Sequence, residues 1–344
     1  MFIGYSGYSA DNQGIADRRR IMFWARERGH QIVGIDDNRA DVKVITSSSD
    51  LEFWREHRSN VPVVLDVVDG LLAERSIVKD YSRSVASSSK RNFKKFTSMR
   101  FSNLLTEVAG RVDSVICSSH EQRLEWIERG VYPHQILDFH EEIPEVNGPV
   151  LDFSKKINLF WEGLPVTLNS LSQLKGLFDS NQKRVIQLQL LTVRNSYHFR
   201  NKYFPISTFD LVAKQIKSQN VSFKVWDWSP ENCGSVAKHS HLGVIPVSLT
   251  TGYHRLKAEN RLLIMWRLGL NTLTSPLASY TRVMKAAEID GVCLSKSDWS
   301  QKLKQIENSS NLREENREKA TNYLRLNHSK EGLLRRWDSV FEKL

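Results

Sequence analysis

Strand-like and helix-like segments alternate from one end of this chain to the other, which is the pattern of parallel sheets covered by helices. In the first half, residues 1–5 read as a strand, 17–28 as a helix ended by Gly29, and 31–35 as a strand; 42–46, 50–58 and 61–68 continue the series. After a basic, serine-rich stretch come a helix over 101–109, a strand over 114–117, a helix over 121–129 and a close near 136–139. Pro144, Asn147, Gly148 and Pro149 then interrupt the series. Two prolines and a glycine so close together suppress both helix and strand, so a linker is expected there. The second half restarts at 157–161 and runs through 184–192, 209–218, 222–226, 242–247, 258–268, 271–274, 280–288 and 298–306 in the same order. A chain of 344 residues is too long for one ordinary core. The expectation is an α/β protein with one parallel-sheet domain over 1–147 and another over 148–325.

Composition excludes some classes of function and favours others. With 40% hydrophobic and 26% charged residues the chain reads as globular and soluble. No apolar run approaches the roughly 20 residues needed to span a bilayer. The best candidates, 61–72 and 157–166, are interrupted by Asp66, Asp69 or Glu162. The N-terminus lacks the basic-then-apolar order of a secretory signal, so a cytoplasmic protein is expected. Cys117, Cys233 and Cys293 are scattered and suit reduced thiols, with neither a disulfide framework nor a zinc site. A formal charge of +10 attracts anions and so favours phosphates, acidic lipids or nucleic acid.

Two blocks carry a resemblance. The first is Asn260-Arg-Leu-Leu-Ile-Met-Trp-Arg-Leu-Gly-Leu-Asn-Thr-Leu-Thr-Ser-Pro276 followed by Ala278, Tyr280 and Val283, with Gly291-Val-Cys-Leu294, Asp298 and Trp299 beyond it. It resembles the nucleotide-sugar-binding segment of GT-B glycosyltransferases: a helix, a Gly turn, a short strand ending in Ser-Pro, and a further helix. The second, Ala109-Gly-Arg-Val-Asp-Ser-Val-Ile-Cys-Ser-Ser-His-Glu-Gln122 leading to Arg129-Gly-Val131, is similar to the end of that family's N-terminal domain. The resemblance implies two Rossmann-like domains facing a cleft. It also implies a nucleotide-sugar donor, a glycan or lipid-linked acceptor in polysaccharide biosynthesis, no cofactor and no metal. The C-terminal helix over 326–344, with Trp337, Phe341 and Leu344 on one face, is expected to return to the first domain as in that family.

Physical chemistry places the candidate site residues. A helix beginning near 257–260 turns free backbone amides and its positive dipole end towards a diphosphate, with Arg255, Lys257, Asn260 and Arg261 beside it. Open α/β sheets bind ligands beyond the carboxyl ends of their strands, so Gly163, Asp227 and Trp228, together with 248–254, join the donor set. Trp228 or Tyr253 is the candidate to stack a base and Asp227 the candidate to hydrogen-bond it. The loop Tyr5-Ser-Gly-Tyr-Ser-Ala-Asp-Asn-Gln-Gly14 offers Ser6, Gly7 and Asn12 to an acceptor, and Asp11 beside them to the chemistry. Asp66 and Asp69 flank a strand end where a general base belongs in an inverting enzyme, and Asp69 is the one taken as catalytic. The family's Glu-(seven residues)-Glu pattern is missing, with Ile264 standing at its second Glu and Glu259 the nearest acid. The family's arginine after the first strand of the C-terminal domain is replaced by Glu162-Gly163-Leu164.

Within 81–100, Arg83, Lys90, Arg91, Lys94, Lys95 and Arg100 are interleaved with Phe93, Phe96 and Met99 and with no acid. Such a run reads as a solvated face, a mobile loop or a surface that rests on an anionic membrane. Nucleic acid is not expected, since no nucleic-acid motif accompanies these charges. Two other functions stay open: a nucleotide-sugar epimerase on the same fold, and a non-catalytic glycan- or partner-binding protein.

Overall fold

The computed structural model describes residues 1–73, 76–88, 99–148, 152–153, 156–180, 184–193, 195–196, 206–216, 218–249 and 252–344. They divide into two compact units, one of Met1–Phe139, Leu249–Ala258 and His328–Leu344, the other of His140–Ser248 and Glu259–Asn327.

The first unit runs β1 (Phe2–Ser6), α1 (Ile15–Arg18), α2 (Ile21–Glu27), β2 (Gln31–Gly34), β3 (Val42–Thr46) and α3 (Leu51–Glu56). It continues through β4 (Val63–Val67), α4 (Ile77–Ser88), α5 (Phe101–Ala109), β5 (Ser114–Cys117), α6 (His120–Ile127) and β6 (His134–Gln135). Its six strands form one all-parallel sheet ordered β2-β1-β3-β4-β5-β6. All five residues of β4 are buried, as expected of a central strand covered on both faces. Leu51, Leu65, Leu104, Leu105, Val108 and Trp126 pack into one core cluster around it.

The second unit contains β7 (Lys156–Glu162), α7 (Lys175–Ser180), β8 (Val185–Thr192), β9 (Asn195–Ser196), β10 (Ile206–Ser207), α8 (Thr208–Gln215), β11 (Val221–Asp227), α9 (Pro230–Ala237) and β12 (Leu242–Ile245). The chain then supplies α10 (Gly252–Arg255) to the first unit. It goes on with α11 (Asn260–Arg267), β13 (Thr272–Thr274), α12 (Ala278–Ala286), α13 (Lys296–Asn308) and α14 (Ser310–Asn327) in the second. The main sheet here is parallel and ordered β11-β8-β7-β12-β13. In both sheets the strand order reverses at one point, between β1 and β3 in the first and between β7 and β12 in the second. Doubly wound sheets bind ligands just beyond the strand ends at that reversal.

The last helix, α15 (Lys330–Phe341), belongs to the first unit. Trp24 stacks on Trp337 at 5.9 Å and on Phe341 at 4.4 Å, and its indole Nε1 donates to Asp338 at 2.7 Å.

Several elements differ from the sequence expectation. The helix expected over 17–28 is broken into α1 and α2 at Arg19 and Arg20, where the backbone turns and the Arg20 side chain enters the interior. The basic stretch from residue 81 is helical at its start, because Asp80 of α4 accepts from Ser102 N and Oγ at 3.1 and 2.8 Å and fastens the helix to α5. Lys90, Arg91, Lys94, Lys95, Phe93 and Phe96 lie outside the described residues. Just before the expected close at 136–139 stands the short strand β6, and the helix expected from 258 begins at Asn260.

Candidate functional site

In the first unit the loop after β1 is organised by one carboxylate. Asp17 is fully buried and accepts from Tyr5 Oη at 2.6 Å, Tyr8 N at 2.7 Å, Ser9 Oγ at 2.7 Å, and Ser9 N and Gly14 N at 3.1 Å. Burial and this hydrogen bond raise the pKa of Tyr5 above its ordinary range, so the phenol stays a donor. Gly7 sits so close to this knot that a Cβ there would lie 2.2 Å from Asn12 Oδ1 and 2.6 Å from Asp17 Oδ1. Asn12 turns the chain through the left-handed region at φ 57°. The loop is also tied to the end of β3 across the strand-order reversal: Thr46 Oγ1 donates to Gly7 O at 3.1 Å, and Ser49 Oγ lies 2.9 Å from Ser6 Oγ. Ser6, Gly7, Asn12 and Asp11 are thus held together on one loop. Asp11 itself is exposed, and hydrogen bonds from Gln13 N and Ser9 hold its carboxyl below the usual range.

The two aspartates at the end of β4 have different environments. Asp66 is fully buried and takes a bidentate contact from Arg20, Nε at 2.8 Å and Nη2 at 2.7 Å. Arg20 also reaches Asp138 at 3.1 Å and Ile136 O at 2.8 Å. Burial opposes the guanidinium's charge, but Asp66 and Asp138 outweigh it and raise the pKa of Arg20. Asp69 is exposed, and its backbone carbonyl accepts from Gln122 Nε2 at 3.0 Å. Tyr8 Oη donates to Asp66 O at 2.7 Å, which ties the β1 loop to this strand end.

Of the donor candidates, Tyr253 and Lys257 belong to the first unit and Gly163, Asp227, Trp228, Asn260 and Arg261 to the second. Arg261, in the first turn of α11, reaches the end of β7. Its Nη2 donates to Glu162 O, its Nε lies 3.6 Å from Glu162 Oε2, and its guanidinium lies 5.3 Å from the Trp161 ring centroid. Gly163 follows at once and donates to Leu191 O at 3.3 Å. The sequence has no arginine directly after this strand, but a guanidinium stands there nevertheless, carried by another element. Burial pushes the nearby Tyr280 phenol up to about 12. Glu259 is buried and paired with Arg282 at 3.2 Å, and its side chain does not cap α11. Asp227 ends β11 and Trp228 follows it, with Trp228 N donating to Thr192 O at the end of β8 at 2.8 Å.

Sequence reading missed the residues that hold these loops. Gln173 donates to Val247 O at 2.7 Å, Ser275 Oγ donates to Gln173 Oε1 at 2.6 Å, and Val247 N donates to Ser275 Oγ at 2.8 Å. This closed ring joins the segments after β7, β12 and β13. The one available signal was Pro165, a helix-start residue that opens the short 3-10 segment Pro165–Leu174. Among the described residues no group of three or more His, Cys, Asp or Glu is placed to hold a metal ion, and no helix is long and apolar enough to cross a membrane.

No family model and no curated protein matches the sequence. Solved structures do. TarM is similar with a TM-score of 0.58 at 12% identity, over 87% of this chain and 54% of TarM. A TarM variant from S. aureus in complex with fondaparinux, alpha-GlcNAc-glycerol and UDP gives 0.57, also at 12% identity, over 87% of this chain and 55% of that one. WaaG, a glycosyltransferase involved in lipopolysaccharide biosynthesis, gives 0.51 at 15% identity over 95% of both chains. The chain therefore spans about half the length of TarM and nearly all of WaaG. With two parallel Rossmann-like sheets and these neighbours, the fold is GT-B.

Proposed function

We propose, with the GT-B fold as premise, that this chain moves a sugar from a nucleotide-sugar donor to a hydroxyl of a glycan or lipid-linked acceptor in polysaccharide biosynthesis. The observation that carries the reading is Arg261 at the end of β7, beside the strand-order reversal of the second sheet. A fixed cation at the start of α11 stabilises charge that develops on a departing diphosphate. In this reading Asn260 and Gly163 line the same position, Trp228 and Asp227 meet the nucleoside, and the loop of Ser6, Gly7 and Asn12 meets the acceptor. Asp69, exposed on a pinned backbone, or Asp11 takes the acceptor proton, and neither step calls on a metal. The likeness to a UDP complex and to a lipopolysaccharide enzyme supports the substrate classes. A bilayer contact through Lys79, Arg83 and Arg100 is supported by the exposed Ile77 and Val78 of α4.

A second reading, nucleotide binding without transfer, is favoured by one observation: Glu259, the acid nearest the missing Glu pattern, is buried against Arg282. Thermal unfolding across nucleoside diphosphates and their sugars separates these readings from failure of both. One diphosphate should stabilise the protein, by about 2.7 kcal/mol at a hundredfold excess over Kd, and Arg261→Ala should abolish the shift. If none stabilises it, both readings fall. Stabilisation by a nucleotide sugar that is never consumed with any acceptor selects the second.

A further inference from the structure

We propose that Glu162 is the resident counter-ion of the donor-phosphate site: it holds the charge of Arg261 until a diphosphate takes its place, and reclaims that charge as the nucleotide leaves. This deepens the transferase reading and rests on it. Arg261 meets Glu162 in two distinct ways. Its Nη2 donates to the backbone carbonyl of Glu162, and its Nε lies 3.6 Å from the carboxylate Oε2. The carbonyl contact places the guanidinium at the end of β7 whatever side chain residue 162 carries. The carboxylate contact neutralises it. Both side chains are largely covered, Arg261 21% and Glu162 13% exposed, so solvent screens the pair only in part.

The groups around the pair add no net charge. Glu259 and Arg282 pair with each other at 3.2 Å, and the Tyr280 phenol, kept protonated by burial, is neutral. The charges of Glu162, Glu259, Arg261 and Arg282 therefore sum to zero before any ligand arrives. A diphosphate at Arg261 brings its negative charges up against the Glu162 carboxylate. It gains the guanidinium only by displacing that carboxylate, and this repulsion works against binding. The exchange is confined to one side chain, because the strand end is fixed. Glu162 is in register with Leu191 of β8, and Gly163 N donates to Leu191 O at 3.3 Å. A Cβ on Gly163 would lie 3.0 Å from Trp161 Cζ2, and the centroid of the Trp161 ring lies 5.3 Å from the guanidinium. A carboxylate that returns to Arg261 promotes release of the nucleotide product, a step that often sets turnover.

The test measures affinity by calorimetry and dissociation rate by stopped flow for UDP, GDP, ADP and dTDP on the full chain and on Glu162→Gln. This substitution keeps the side-chain size and the backbone carbonyl that positions Arg261, and removes only the charge. The preferred diphosphate should bind Glu162→Gln about tenfold more tightly or better, through slower dissociation. The matching nucleoside, which has no phosphate, should bind both proteins alike. Glu162→Asp, which keeps the charge, should stay within about twofold of the wild type. Weaker diphosphate binding or an unchanged dissociation rate in Glu162→Gln overturns the proposal. So does an equal gain for the nucleoside, which would trace the effect to the shape of the pocket. Both of those results leave the transferase reading standing. If no diphosphate binds either protein, that reading falls and this proposal with it, whereas binding to Glu162→Gln alone supports both.

Discussion

Asp17 and Asp66 are both carboxylates at the carboxyl edge of one sheet, and both are committed to structure: Asp17 to the loop after β1, Asp66 to Arg20. A buried ion pair that loses one partner leaves an uncompensated charge, so Asp66→Asn should cost about 3–5 kcal/mol in urea unfolding. A midpoint equal to that of the wild type would show that Arg20 is satisfied without it. Nothing in the sequence distinguishes Asp66 from Asp69, three positions on. Asp66 lies inside β4, whose residues are all buried, whereas Asp69 lies two residues past the end of the strand and is exposed. Arg261 was legible as a basic residue at a helix start. Its reach to Glu162 was not, because that contact spans 99 positions.

At the scale of elements, the ordered alternation was read correctly in most places, and the departures are those that a periodic pattern cannot express. Helix α4 hides in a stretch read for its charge, since its stability comes from Asp80 bonded across to α5. The segment between β7 and β8 was left unread although it carries Gln173. Gln173→Ala opens the ring with Ser275 and Val247 and leaves a buried backbone carbonyl and hydroxyl short of partners, at about 1–3 kcal/mol. The expected outcome is a lower melting temperature together with nucleotide affinity weakened by about tenfold, roughly 1.4 kcal/mol. A variant that melts lower but binds nucleotide normally would make the ring a purely structural fastening. Gln173→Glu, which keeps one acceptor and loses the donor, should fall between the two.

At the scale of the molecule, stability should depend on pH through histidines kept neutral by burial. His30, His134 and His241 all have pKa values lowered from 6.5, burial being the largest cause in each. Unfolded chains take up these protons first, so the stabilisation is complete above about pH 6.5 and is lost as pH falls from there through the folded values. Asp338, lowered by its bonds from Arg28 and Trp24 in spite of burial, adds a further loss below the ordinary carboxylate range. Urea midpoints should therefore be lower at about pH 5 than at about pH 7.5, and equal midpoints would refute this account. The fold class and the two parallel sheets were already determined by the sequence, because side-chain period and chain-breaking residues act locally. Tertiary structure alone decided that 249–258 joins the first unit, that Asp66 is spent on Arg20 across 46 positions, and that a guanidinium from α11 stands at the end of β7. Those outcomes depend on which distant surfaces pack together, and no local pattern encodes that.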